Sequence, residues 1–195
     1  FPIENGIADV KVVWGGGIGK QGFPWEEYLA SHSPPGSRLP PGFKTFDIFD
    51  LEFETALSAK TLNTGTAARI VSPKQVFYAL KRSIDAAASF ERYTLGGRTL
   101  TSSAIASREV TVLVPANTTA AQWIQIGRAA GYAQNRGVTL RVVQEYGCCP
   151  QALDPFTNQR ATPTPLVQSV AQVITGHAEE TLMDHLSFID FHAGL

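Results

Sequence analysis

Two short runs, Thr45-Phe46-Asp47-Ile48-Phe49-Asp50 and Ser58-Ala59-Lys60, put an acid, a hydroxyl and an amine within reach of one another. Both alternate in side-chain character as short strands do, and Leu51-Glu52-Phe53-Glu54 between them is the length of a hairpin turn. Symmetric pairing around that turn sets Asp50 opposite Thr55 and Asp47 opposite Ser58, with Lys60 two residues further along. Asp47, Ser58 and Lys60 therefore share one face. Asp50 falls on the other, where it is suited to capping the turn. A carboxylate beside an amine on a rigid strand pair suits metal-assisted phosphodiester hydrolysis: the acid holds a divalent cation, and the ammonium steers or activates a water and offsets phosphate charge. An ordinary ion pair on an exposed sheet is the alternative reading of the hairpin alone.

A hard cation wants several oxygen ligands, and a serine at the second strand position leaves such a site short of charge unless a neighbouring helix supplies it. Phe23-Pro24-Trp25-Glu26-Glu27-Tyr28-Leu29 is that helix: Pro24 suits its first turn, and Trp25, Tyr28 and Leu29 define one buried face. Glu26 flanks this face and reaches toward the sheet, whereas Glu27 points to solvent.

These segments resemble the C-terminal toxin domains of CdiA proteins, the contact-dependent growth inhibition effectors of Gram-negative bacteria. The likeness is carried by Gly15-Gly16-Gly17-Ile18-Gly19-Lys20-Gln21-Gly22, Pro24 to Leu29, Arg38-Leu39-Pro40-Pro41, Phe43 to Asp47 and Ser58-Ala59-Lys60-Thr61-Leu62. It continues in one register through Pro73-Lys74-Gln75-Val76, Tyr93-Thr94-Leu95, Leu100 to Ser103, Ser107-Arg108-Glu109 and Ala116 to Thr119, and stops near Tyr146. The resemblance implies a restriction-endonuclease-like core of the PD-(D/E)xK type, with the active-site glutamate, aspartate, serine and lysine at Glu26, Asp47, Ser58 and Lys60. It implies Glu26 and Asp47 as ligands of a divalent metal ion, zinc favoured and magnesium the alternative. DNA is the favoured substrate and tRNA, cleaved by a sister branch, the other. It also implies secretion at the end of a large cell-surface protein, action in the cytoplasm of the target bacterium, and a cognate immunity protein. The β-augmentation of that branch directs attention to the segment 93–114, whose uncharged Leu100-Thr101-Ser102-Ser103-Ala104-Ile105 could offer an edge.

At 195 residues and 44% hydrophobic content the chain can bury a sizeable core, and no uninterrupted apolar run is long enough for a membrane span. Nothing at its start reads as a signal peptide, and Phe1 to Gly6 reads like a fragment boundary. Cys148 and Cys149 are adjacent, which disfavours a bridge between them, and without further ligands nearby they read as loop or packing residues. The formal charge of −1 hides an uneven distribution. Residues 61–145 carry ten Lys/Arg against four Asp/Glu, so Arg69, Lys74, Lys81, Arg82, Arg92, Arg98 and Arg108 are candidates for a phosphate-binding surface. For any one of them a solvated helix face is the competing account.

The remaining elements follow from pattern. Asp9 to Trp14 is strand-like, the glycine run to Gly22 a loop, 24–31 a helix, and Ser33 to Gly42 a Pro-rich connector. Ser72, Pro73 and Gln75 read as cap, first-turn proline and box partner of a helix whose stripe is Val76, Phe77, Leu80, Ile84 and Ala87. Gly96-Gly97 is a hairpin turn. A strand over 109–114, a helix over 117–136 and a strand over 138–144 form a crossover unit, so the class is α/β: a mixed sheet flanked by helices, with a projecting β-hairpin. Residues 1–145 form the nuclease domain, and 146–195 an extension read as a terminal amphipathic helix packed on the body and holding His185, Asp190 and His192.

Gly17-x-Gly19-x-x-Gly22 also fits a dinucleotide fingerprint, weakly, because the following helix is short; Gln21 after Lys20 excludes a Walker loop. A non-catalytic nucleotide- or partner-binding domain built on that loop is the rival from a different class.

Overall fold

The computed structural model describes Ile7–Ala8 and residues 10–145. Five strands form one sheet in the order β1-β7-β6-β3-β2: β1 (Ile7–Ala8), β2 (Ile48–Asp50), β3 (Thr55–Thr61), β6 (Ser107–Val114) and β7 (Thr139–Glu145). β2 runs antiparallel to β3, and the other neighbours are parallel, so the sheet is mixed as the pattern implied. β3, β6 and β7 are joined by crossovers containing α3 (Lys74–Ala88) and α4 (Ala120–Gln134), while α1 (Phe23–Ser31) precedes β2. The strands β4 (Arg92–Leu95) and β5 (Arg98–Thr101) make a separate hairpin, and α2 (Ala67–Val71) is a short helix the pattern did not reveal.

Two apolar layers sandwich the sheet. Val76, Leu80, Ile84 and Ala87 of α3 and Ile126, Ala129 and Ala133 of α4 pack with Ala56, Val110, Val112 and Val114 on one face. Trp25 and Leu29 of α1 pack with Ile48, Leu57, Ala59, Leu113 and Val143 on the other. The helical spacing of each stripe and the strand alternation of β3 and β6 produce this split.

Several expectations change. Residues 10–14 are not a strand: β1 pairs with β7 only through Gln144 and Glu145. The Glu145 carboxylate then takes the Val12 amide (3.5 Å) and the Trp14 indole N–H (2.5 Å), so side-chain bonds replace a ladder. The glycine loop contains a π-helical turn, Ile18–Gly22, leading directly into α1. A Cβ at Gly16 would come within 2.9 Å of both Lys20 Cβ and the Val13 carbonyl, so this turn needs glycine there. Ser72 does not cap α3: its carbonyl, not its hydroxyl, receives the Gln75 amide, because Ser72 closes α2 and leaves no free turn between the helices. The capping box belongs to α4, where Thr119 and Gln122 exchange side-chain and backbone bonds.

The Gly96-Gly97 turn is present, with φ of 56° and 76°. The hairpin ends at Thr101, however, and residues 107–114 are the central strand β6, paired on both sides and unable to offer an edge. Nor does the hairpin stand clear of the body. Tyr93 meets the Phe43 ring edge-on at 5.0 Å, Arg98 donates to the Gly36 carbonyl (3.1 Å), and Leu100 is buried. No helix among the described residues is long and apolar enough to cross a membrane. The extension expected at 146–195, with Cys148, Cys149, His185, Asp190 and His192, lies outside the described residues.

Candidate active site

The hairpin register is the predicted one: Ile48 opposes Leu57, Phe49 opposes Ala56 and Asp50 opposes Thr55. Asp47 sits one residue before β2, its backbone gripped on both sides. Its amide donates to the Leu57 carbonyl (2.9 Å), and its carbonyl accepts the Leu39 amide (3.0 Å). Its side chain crosses to β3, where Oδ2 accepts the Ala59 amide (2.7 Å) and the Lys60 ammonium (3.2 Å). Lys60 Nζ also donates to the Ala59 carbonyl (2.8 Å). The carboxylate and the ammonium are thus both pinned to one stretch of backbone, which limits the entropy cost of holding them together.

Ser58, the serine implied for the active site, is buried, and its hydroxyl donates to the Thr45 carbonyl (2.6 Å). Thr45 has φ of 74°, a left-handed conformation that costs a β-branched residue on the order of 1–3 kcal/mol. Ser58 therefore holds the strained turn that swings Asp47 into position. Asp50 caps the opposite end, its Oδ1 accepting the amides of Glu52 (2.9 Å) and Phe53 (3.2 Å), as its parity implied.

Glu26 and Asp47 line one cavity together with Arg38, Leu39, Pro40, Pro41, Gly42 and Ile48. Glu26 is half-buried on α1 between buried Trp25 and exposed Glu27, as the helical spacing required. Burial, and next the Asp47 carboxylate, push the Glu26 pKa above its ordinary value, with Lys60 and Arg38 pulling it back. Burial also raises that of Asp47 against the opposing effects of Lys60, the Ala59 amide and Arg38. Two carboxylates held at a cost to their ionised forms make a site that a cation would relieve. Among the described residues no group of three or more His, Cys, Asp or Glu could hold a metal ion, so the carboxylates that this cavity could offer a cation are those of Glu26 and Asp47. This pair fits one divalent ion better than two.

Arg38 was not singled out from the sequence, where it stands in a Pro-rich connector with no periodic signal; only its pairing opposite Ile48 brings it here. The glycine motif does not build a dinucleotide site. β1 ends well before it, and Gln21 uses its side chain to join the turn to β3, accepting from the Gly15 amide (3.0 Å) and donating to Thr61 Oγ1 (2.8 Å). The basic block is partly neutralised within the fold. Lys81 pairs with Asp85 (2.5 Å), Arg141 with Glu109 (2.9 Å), and Arg69 donates to the Asn63 carbonyl (2.6 Å).

A mixed sheet with a helix-borne glutamate, an aspartate just ahead of a strand and a lysine on the next strand defines the restriction-endonuclease-like class. Residues 21–143 match the CDI toxin restriction endonuclease-like domain, and the chain belongs to that family. It is 48% identical over 137 residues to Deoxyribonuclease CdiA of Yersinia pseudotuberculosis serotype O:3, covering 70% of this chain and 13% of that protein. It is 45% identical over 137 residues to Deoxyribonuclease CdiA-o11 of Escherichia coli O157:H7, covering 70% of this chain and 36% of that one. The chain therefore spans only a minor part of the curated relatives it matches. A solved CdiA-CT/CdiI toxin and immunity complex from Yersinia pseudotuberculosis is similar in fold, with a TM-score of 0.58 and 49% identity over 62% of this chain and 98% of that one.

Proposed function

We propose that this domain is a metal-dependent endonuclease that hydrolyses phosphodiester bonds of DNA as the toxin of a contact-dependent growth inhibition system. The observation that carries the reading is the Asp47–Lys60 contact at 3.2 Å beside Glu26, in a cavity whose two carboxylates are both penalised by burial. Glu26 and Asp47 hold one divalent ion, zinc on the family resemblance and magnesium as the alternative that an all-oxygen donor pair also suits. When bound, the ion polarises the scissile phosphate and makes a coordinated water more acidic. Lys60 orients the attacking water and offsets phosphate charge from a position fixed by Asp47 and the Ala59 carbonyl. Ser58 acts through Thr45, keeping the turn that aims Asp47.

Family membership supports the same reading of delivery: we propose that the domain is the C-terminal part of a large cell-surface protein and acts in the cytoplasm of the target bacterium. Its partner is a cognate immunity protein, and the β4–β5 hairpin is the proposed dock. Around a two-residue turn, Leu95–Arg98 and Tyr93–Leu100 are the mutually bonded pairs. Among the described residues the backbone groups of Thr94, Thr99 and Thr101 then have no strand partner and could take an added one. A Cβ at Gly96 would lie 3.2 Å from Pro40, which lines the cavity, so a partner on this hairpin also shields the site.

The test is incubation of purified protein with supercoiled plasmid and total tRNA in parallel, with magnesium or zinc, with and without chelator. Plasmid cleavage that chelator abolishes supports the reading. Cleavage of tRNA alone assigns the substrate to RNA, and no cleavage of either returns the domain to a non-catalytic binding role.

A further inference from the structure

We propose that Arg38 is a further catalytic residue: it leaves its surface partner Glu27 and clamps the non-bridging oxygens of the phosphodiester being cut. This rests on the nuclease reading above. The chain around Arg38 is tied to the strand that follows Asp47, with the Leu39 amide on the Asp47 carbonyl (3.0 Å) and the Phe49 amide on the Ser37 carbonyl (2.7 Å). Arg38 lies opposite Ile48 in this antiparallel contact, and Ile48 packs in the layer beneath α1. Cross-strand partners share a face, so Arg38 is directed to the α1 side of the sheet, where Glu26 and Glu27 stand.

Arg38 lines the same cavity as Glu26 and Asp47, yet its guanidinium bonds neither and pairs with Glu27 at 2.6 Å. That pair is exposed, with 44% of the Arg38 and 69% of the Glu27 side-chain surface open to solvent. Exposed pairs of this kind hold weakly. A phosphate presents two oxygens in the geometry a guanidinium fork matches and so displaces such a partner readily. The alternative is that Arg38 merely balances the two acids. A balancing charge and a clamp differ in what they do to metal binding and to turnover, and this difference decides between them.

The experiment is single-turnover cleavage by the parent, Arg38→Gln, Arg38→Lys and Glu27→Gln, on plasmid and on tRNA. Melting temperature and calorimetric affinity for the same divalent metal are measured in parallel. For the clamp, Arg38→Gln lowers kcat/KM by about 10²–10³-fold, as loss of one transition-state donor does, with metal affinity equal or tighter. Arg38→Lys recovers only part of the loss, because a point charge lacks the fork. Glu27→Gln releases the parked arginine and lowers KM about two- to fivefold. A folded Arg38→Gln that cleaves within threefold of an active parent, or a Glu27→Gln with unchanged KM, overturns the inference and leaves the nuclease reading intact. A parent inactive on both polymers overturns the nuclease reading, and this inference with it.

Discussion

Asp47 and Asp50 lie three residues apart at opposite ends of one short strand, and their alanine variants should fail in opposite ways. Asp50→Ala removes an acceptor from two backbone amides at 2.9 and 3.2 Å in a tight turn. Loss of a capping side chain of this kind costs about 1–2 kcal/mol. At about 2–4 °C per kcal/mol for a chain of this size, the melting temperature falls by about 2–8 °C. Cleavage at 25 °C stays within about threefold, since Asp50 touches nothing in the cavity. Asp47→Ala loses contacts to the Ala59 amide and Lys60 but also ends the burial of a carboxylate whose ionised form the site disfavours. These terms oppose each other, so stability changes by no more than about 1 kcal/mol, in line with the small net worth of compensated buried pairs. Cleavage should fall at least about 10³-fold, on the order of 4 kcal/mol of barrier. Lys60→Ala, assayed alongside, also abolishes cleavage. Thermal melts and plasmid nicking on the same preparations read both quantities. A folded Asp47→Ala that nicks within tenfold of the parent refutes the site, and an Asp50→Ala that keeps its melting temperature while losing cleavage moves the site to the other end of the strand.

Four further outcomes are expected. In metal-free protein the raised pKa values of Glu26 and Asp47 mean that the folded state holds protons the unfolded chain releases. Their contribution to stability is then full below the ordinary carboxylate values of 3.8 and 4.5 and is lost as pH rises through the folded values. Melting curves across this window should show that slope, Asp47→Asn should flatten it, and metal affinity by calorimetry should weaken toward acid pH. Because Lys81 is already paired with Asp85, Arg82→Glu should reduce the salt slope of DNA binding by about one while Lys81→Glu leaves it nearly unchanged; equal slopes for both would place the polyanion elsewhere. Gln122→Ala removes bonds to the Thr64 and Arg69 carbonyls and the Thr119 amide inside the fold. It should cost about 2–4 kcal/mol in chemical denaturation. Thr101→Pro, which removes an outward amide of the β4–β5 hairpin, should weaken immunity-protein binding by titration and spare cleavage; unchanged affinity would exclude this edge.

The parts of the fold set by local alternation were readable in the sequence. The β2–β3 register followed from parity and turn length, the α3 face from its spacing, and the second hairpin from paired glycines. Parity also separated Asp47 from Asp50 and, on α1, Glu26 from Glu27. What escaped was set by contacts distant in the chain. Ser72 and Thr119 both begin an acceptable capping box, and only the immediate end of α2 at Ser72 decides that the second one forms. Lys81 loses its availability partly to Asp85, four residues on, but also to Tyr132 of α4, whose hydroxyl donates to the same carboxylate (2.6 Å) and whose ring lies 4.9 Å from the lysine. Arg38 has no periodic signal because the connector around it forms a single bridge rather than a strand.

On the proposed reading two carboxylates and two cations act together, Arg38 lining the cavity with Glu26 and Asp47 while Lys60 bonds Asp47 from β3. Counted as formal charges, the two carboxylates Glu26 and Asp47 balance Lys60 and Arg38, and the four side chains sum to zero. A divalent ion raises that to two positive charges, and a phosphodiester monoanion brings it to one. On the proposed reading a hydroxide in the site brings the sum to zero, and its attack leaves that total unchanged while moving negative charge onto the phosphoryl oxygens, where charge is greatest in the transition state. Cations placed toward those oxygens stabilise the charge where it develops, and so favour the transition state over the bound substrate, which is the difference that accelerates a reaction. Without Lys60 or Arg38 the sum at that point would be negative, and without Asp47 the ion would lose a ligand while Lys60 lost the carboxylate that fixes it. The strained Thr45 turn and the buried Ser58 hydroxyl beneath it belong to the same arrangement, for they keep the Asp47 carboxylate against the Ala59 amide, where it cannot relax into solvent when the cavity is empty of cations.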